Sequence, residues 1–302
     1  MLAADSATMV RASVNYFDPA LPRGRFDVVD PQLNRMSFEA HDVAIRDMRG
    51  EAVSIDQQGF MLASHTSRVA RSPEMADTNT VAQMGLPPIN AAYYEELIPL
   101  IQDISGARDV IPQATGLTVR FSARSKRQSW AGAAGFIHLD VTDTSVDRFL
   151  DFSLKAAGRP IAPWSRVVLY QTWRTVSDPP QDNLLALCDR RSVPPSDVVF
   201  YDAIIGDKDT ALESVEARSC RYGQGHSWWY ASDMGARDLL VFIGYDSSTP
   251  GAVQPFHTGF DVPGHETRRR ARALRRASSP FTTEGVLNHR PRQRGESLEG
   301  GK

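Results

Sequence analysis

The sequence predicts a mainly β fold with flanking helices, arranged as an antiparallel sandwich or barrel. Eight short runs of strand-forming residues fall between 107 and 276, at 116–122, 134–141, 166–174, 197–203, 226–231, 238–244, 253–258 and 268–276, each bounded by turn residues. Several of them alternate polar and apolar side chains with a period of two, as a half-buried strand requires. Two stretches carry helical spacing instead.

Residues 1–80 alternate strand-like runs, such as Ala12-Ser13-Val14-Asn15-Tyr16-Phe17 and Ala52-Val53-Ser54-Ile55, with Pro and Gly breaks. They read as an N-terminal arm wrapping a core. Residues 90–105 form the first helix, with Asn90 as N-cap, Gly106 as stop, and Pro99 kinking or splitting it. Asp143 to Ala157 forms the second, with Val146, Phe149, Leu150 and Leu154 on one face and Gly158-Arg159-Pro160 ending it. From Ser278 the chain is rich in Ser, Gly, Arg and Glu, a composition that predicts disorder. The expected organisation is an arm and helix over 1–106, a β core over 107–277 and a disordered tail over 278–302.

At 302 residues the chain can bury a substantial core, and 41% hydrophobic with 23% charged residues is ordinary for a globular protein. A formal charge of −2 speaks against nucleic acid or membrane surfaces as partners. No apolar run approaches the roughly 20 residues of a membrane span, and Met1-Leu2-Ala3-Ala4-Asp5-Ser6 lacks the regions of a signal peptide, so a cytoplasmic location is expected. Cys188 and Cys220 read as reduced structural thiols. Two cysteines are too few for a thiolate metal site, so a bound metal must use imidazole and carboxylate, which points to iron, manganese or zinc.

His138-Leu139-Asp140 is the most informative triplet. On a strand, residues i and i+2 share a face, so His138 and Asp140 can aim at one ion while Leu139 packs behind. Two imidazoles and one carboxylate fill one face of a coordination sphere and leave the other positions open. The plain alternative is a hydrogen-bonded pair on a solvated strand face. His257, in a loop after the buried-strand run Leu239-Leu240-Val241-Phe242, supplies the third ligand, and His226 is its rival. His257 is preferred because an arginine-rich strand follows it.

That strand, Arg268-Arg269-Arg270-Ala271-Arg272-Ala273-Leu274-Arg275-Arg276, holds six arginines. A solvated charge run is the bland reading. The sharper one is that one or two of them turn inward, where the guanidinium fork grips a carboxylate. In Val167-Val168-Leu169-Tyr170-Gln171-Thr172-Trp173-Arg174, Gln171 and Trp173 share a face and Arg174 lies opposite, so the first two can line a pocket.

With these residues assembled, the chain resembles the fungal and bacterial hydroxylase/desaturase family of Fe(II)/2-oxoglutarate-dependent oxygenases, which includes a gibberellin A4 desaturase and a cephamycin methoxylase subunit. The likeness rests on Ser105-Gly106-Ala107-Arg108-Asp109-Val110, His138-Leu139-Asp140, Gln171-Thr172-Trp173-Arg174, Leu185-Ala186-Leu187-Cys188-Asp189, His226-Ser227-Trp228-Trp229-Tyr230, Gly244-Tyr245-Asp246-Ser247 and His257-Thr258-Gly259-Phe260-Asp261. It extends over most of residues 10–280.

The resemblance implies a double-stranded β-helix (jelly-roll, cupin-like) core and an enzyme that hydroxylates, desaturates or otherwise oxidises a secondary metabolite. It implies Fe(II), 2-oxoglutarate and O₂ as cofactors, stimulation by ascorbate, and a small apolar metabolite as substrate, with a homodimer left open. His138, Asp140 and His257 would hold iron. Arg270 and Arg276 align with the family's 2-oxoglutarate arginines, and a shift of two residues brings Arg268 or Arg272 there. The family tends to carry Asn-x-Trp-Arg where this chain has Gln171-Thr172-Trp173-Arg174. From a different class, a non-catalytic jelly-roll binding subunit would use the triad as a satisfied polar cluster. A cupin-type isomerase or zinc hydrolase would bind metal without consuming 2-oxoglutarate.

Overall fold

The computed structural model describes residues 9–27, 30–72, 75, 88–114, 118–121, 135–161, 164–205, 214–265 and 280–291. In chain order the first strands are β1 (Met9–Phe17), β2 (Gly24–Asp27), β3 (Phe38–Asp47) and β4 (Phe60–Ser64). Helix α1 (Pro88–Ser105), β5 (Val110–Pro112), β6 (Thr118–Phe121) and helix α2 (Val146–Ala156) follow. Then come β7 (Trp164–Thr175), β8 (Asn183–Cys188), β9 (Val198–Ile204) and β10 (Val215–Cys220). The last are β11 (Trp228–Tyr230), β12 (Asp238–Asp246), β13 (His257–Asp261) and β14 (Pro280–Pro291).

Strands pair as a five-stranded sheet β1-β3-β11-β8-β13, a three-stranded sheet β10-β9-β2 and a six-stranded sheet β4-β12-β7-β14-β5, with β6 beside β14. Residues 138 and 139 join the first two. His138 bridges His257 of β13, and Leu139 bridges Arg218 of β10. The joined sheet faces the six-stranded one, which gives the jelly-roll of the sequence-based expectation.

Strand β7 shows how the layers are held. Val168 and Tyr170 pack against Tyr93, Tyr94, Leu97 and Ile101 of α1 on the outer face of the six-stranded sheet. Val167 and Leu169 pack on the other side with Val146, Phe149, Leu150 and Leu154 of α2. The period of two then carries Gln171 and Trp173 between the layers and Arg174 beneath α1, over the Tyr93 ring at 5.3 Å. This is the parity read from the sequence.

Both helices form, with differences at their ends. The first starts at Pro88, so Asn90 lies inside the first turn and is 1% exposed rather than capping. It runs through Pro99 unbroken and stops at Gly106, whose φ of +63° suits glycine. The second is shorter, because Thr142 to Ser145 form the turn that starts it, and Gly158 at φ +64° ends it.

The strand expectations need four corrections. Of 134–141, the described part forms only the bridges at His138 and Leu139, because its neighbours on the two sides belong to different sheets. The run expected at 253–258 is displaced to His257–Asp261. Strands β5, β8 and β10 lie outside the expected runs. The tail expected to be disordered from Ser278 contains β14, which pairs with β7 from Phe281↔Thr175 to Arg290↔Arg166. Its local sequence, Phe281-Thr282-Thr283-Glu284-Gly285-Val286-Leu287, is strand-forming, and the polar residues beyond it obscured this. The expected arginine strand 268–276, with Arg268, Arg270, Arg272 and Arg276, lies outside the described residues. Within the expected arm, β1, β3 and β4 pair into the sheets that carry the core. Among the described residues no helix is long and apolar enough to cross a membrane.

Candidate metal centre

The site is built on the segment that sews two sheets together. His138 N–H donates to His257 O at 3.1 Å and His257 N–H returns to His138 O at 3.2 Å. One residue on, Leu139 N–H donates to Arg218 O at 2.8 Å and Arg218 N–H returns to Leu139 O at 2.9 Å. Alternation puts Ile137 and Leu139, at 0% and 1% exposure, into the core and turns His138 and Asp140 to the opposite face. Register extends the row across the sheet: His138 opposes His257, His257 opposes Leu187, and Leu187 opposes Trp229. Directly opposed residues share a face, so both imidazoles face the six-stranded sheet.

His138 Nε2 lies 3.9 Å from Asp140 Oδ1, and His257 Nε2 lies 3.8 Å from Asp140 Oδ2. One ligand atom from each of the three residues falls within 4.8 Å of the others. His138 Nδ1 is 2.9 Å from Phe136 O, and a carbonyl only accepts, so Nδ1 carries the proton and Nε2 keeps its lone pair toward Asp140. The Phe136 ring is 5.1 Å from the His138 ring, and Phe242 is 4.9 Å from His257, so apolar faces shield both imidazoles. Asp140 is the most open of the three, with its side chain 39% exposed against 10% for His138 and 2% for His257. Two buried imidazoles and a carboxylate facing an opening can hold a divalent ion on one side and leave room on the other.

From the opposite sheet, Gln171 Nε2 donates to Asp140 Oδ2 at 2.7 Å. Tyr201 of β9 is fully buried near the same carboxylate. Burial first, then the Asp140 charge, pushes its phenol well above its ordinary value, so it stays protonated.

The rival His226 is committed elsewhere. Its Nε2 meets Asp197 Oδ2 at 3.1 Å, and its Nδ1 meets the Tyr16 hydroxyl at 3.2 Å. Trp173 is 3% exposed within the core between the layers, so packing accounts for it. Both cysteines are free and buried. Burial pushes the Cys188 thiol up to about 12 and the Cys220 thiol well above its ordinary value, which leaves both inert. Sequence reasoning did not find Phe242, Tyr201 or Gly244, because each reaches the site through pairing with distant strands, nor Phe136, whose carbonyl serves His138 two residues on. Gly244 alone carried a signal, a glycine inside an otherwise apolar strand.

Residues 15–277 match the family model described as "Oxidoreductase/YMDC permease-like domain". The chain belongs to that family. Its relatives include the hydroxylase/desaturase efuI of Hormonema carpetanum, 26% identical over 286 residues, which span 84% of this chain and 88% of the relative. The alpha-ketoglutarate-dependent dioxygenase phiK from a fungal species is 24% identical over 276 residues, covering 86% and 91% of the two chains. The iron and alpha-ketoglutarate-dependent endoperoxidase NvfI superposes with a TM-score of 0.73 over 96% of this chain and 100% of its own, at 16% identity. The last likeness is one of fold.

Proposed function

We propose that this family member is an Fe(II)- and 2-oxoglutarate-dependent oxygenase that oxidises a small-molecule secondary metabolite, with His138, Asp140 and His257 as its iron ligands. The observation that carries the reading is the convergence of three donor atoms within 4.8 Å, two of them on buried imidazoles. The donor set fits iron: nitrogen and carboxylate oxygen, three ligands, and an open side at Asp140. The names of the relatives, a hydroxylase/desaturase and an alpha-ketoglutarate-dependent dioxygenase, support the same chemistry. Bound there, the ion would supply O₂ activation coupled to decarboxylation of 2-oxoglutarate to succinate and carbon dioxide.

The chain's own residues have distinct tasks. The Phe136 carbonyl fixes the His138 tautomer so that the Nε2 lone pair faces Asp140. The rings of Phe136 and Phe242 keep water from the imidazole flanks. Gln171 holds Asp140. Tyr201, held protonated, adds no charge to a site that already has one carboxylate. An arginine among 268–276, with Arg270, Arg272 and Arg276 the candidates, would take the distal carboxylate of 2-oxoglutarate through its guanidinium fork.

Anaerobic titration with Fe(II) and 2-oxoglutarate tests this by the weak visible charge-transfer band. Succinate formation against a panel of polyketides, terpenoids and alkaloids then identifies the substrate. Failure to bind the metal, or oxidation that proceeds without 2-oxoglutarate, would sink the proposal.

A further inference from the structure

Gln171 is an expensive residue for its position. It is 3% exposed between the two sheets, and its Oε1 is buried without a hydrogen-bond partner. An orphaned buried acceptor is destabilising, whereas Met would fill the space without one. The opposite amide orientation would turn Oε1 toward the Asp140 carboxylate, so the 2.7 Å bond from Nε2 fixes the orientation seen.

The neighbouring strand is shaped around this amide. Strand β12 pairs with β7 at Ile243↔Tyr170 and resumes at Tyr245↔Leu169, so Gly244 is the extra residue of a β-bulge. A Cβ on Gly244 would lie 2.5 Å from Gln171 Oε1 and 3.1 Å from its Cδ. Glycine is needed here for space, because any side chain would occupy the seat of the amide.

We propose that Gln171 is a positioning residue for the metal, and that the Gly244 bulge is the seat that aims its amide at Asp140. The amide commits one carboxylate oxygen and fixes the rotation of the group, which leaves the other oxygen for the ion. This rests on the metal reading above and adds a dependence on two residues that are not ligands. Loss of such a partner lowers metal affinity by about 10–100-fold.

The test compares wild type, Gln171→Met, Gly244→Ala and the double variant by anaerobic Co(II) titration, with urea unfolding of each apoprotein. Gln171→Met is expected to bind Co(II) about 10–100-fold more weakly, with an altered visible spectrum and an apoprotein at least as stable as wild type. Gly244→Ala is expected to weaken binding similarly with Gln171 intact, since the nearest atom to its Cβ is the movable end of that side chain. The double variant should bind no more weakly than the weaker single one, as coupled residues do. Unchanged affinity in Gln171→Met, or additive losses in the double variant, would overturn the proposal. Should Gly244→Ala fail to fold, Gln171→Met decides alone. Absence of Co(II) binding by the wild type would overturn the metal reading itself, and this inference with it.

Discussion

His138 and His257 exchange both peptide hydrogen bonds, at 3.1 and 3.2 Å, so the backbone holds the two imidazoles side by side before any ion arrives. Their ring centroids are 4.3 Å apart. Strand pairing therefore preorganises the two imidazoles, while Asp140 is held by the Gln171 amide. His257→Ala and Asp140→Ala should leave the apoprotein folded, since both peptide bonds of the rung survive. Each should cost more metal affinity than the roughly 10–100-fold of an outer partner, and abolish 2-oxoglutarate-dependent turnover. Circular dichroism alongside Fe(II) titration checks both halves. A variant that retains wild-type metal affinity would remove that residue from the ligand set.

The hydroxyl of Tyr16 is a second point of convergence, away from the metal. Trp228 Nε1 donates to it at 2.7 Å, which directs its own proton to His226 Nδ1 at 3.2 Å and leaves His226 Nε2–H for Asp197. Trp228 is 1% exposed, so Tyr16→Phe would bury an unsatisfied indole N–H at a cost of about 1–3 kcal/mol. The midpoint of urea unfolding reads this. Tyr222→Phe, at a residue 43% exposed, should shift stability by less than about 0.5 kcal/mol. Equal effects from the two substitutions would contradict the network.

Much of this was legible in the sequence, for physical reasons that differ by residue. The two-residue spacing of His138 and Asp140, and the parity of Gln171, Trp173 and Arg174, follow from the pleat of a strand and need no knowledge of partners. His257 could be chosen over His226 only by order along the chain. The structure supplies the reason, since Asp197 and Tyr16 occupy both nitrogens of His226. The service of Gln171 to Asp140 was not legible. It depends on a bulge in β12 that brings Gly244 against the amide, and no local pattern in either segment announces the other. Strand β14 was hidden for the opposite reason: its strand-forming run is short and lies in a polar, arginine-rich surround.

Strand β14 also makes a prediction about the C-terminal region. It pairs along β7 on the side opposite β12, so it closes an edge that would otherwise expose unpaired backbone. In hydrogen exchange, peptides covering 281–290 should exchange about as slowly as those of β12. Truncation after residue 279 should give an insoluble or unfolded product. Complete exchange of this segment within seconds would return it to the disordered tail that composition suggests.

His65 and Arg174 set an acid limit on stability. His65 Nε2 is 3.1 Å from Glu96 O, a carbonyl that can only accept, so Nε2 carries the proton and Nδ1 accepts from Arg174 Nη2 at 2.7 Å. Arg174 is 1% exposed and stacks over Tyr93, while the Glu96 carboxylate is engaged by Ser67 and Arg68. Burial, then the Arg174 charge, holds His65 below its ordinary value. The folded state thus binds a proton less readily than the unfolded chain, whose histidine titrates near 6.5. Stability from this contact is complete above that pH and is lost as pH falls below it. At pH 8, His65→Phe should cost about 1–3 kcal/mol by orphaning a buried guanidinium N–H. The gap to wild type should narrow steadily from pH 7 to pH 5 in urea unfolding, with the other histidines cancelling in the difference. A gap that stays constant across that range would show that His65 does not accept from Arg174 in the folded protein.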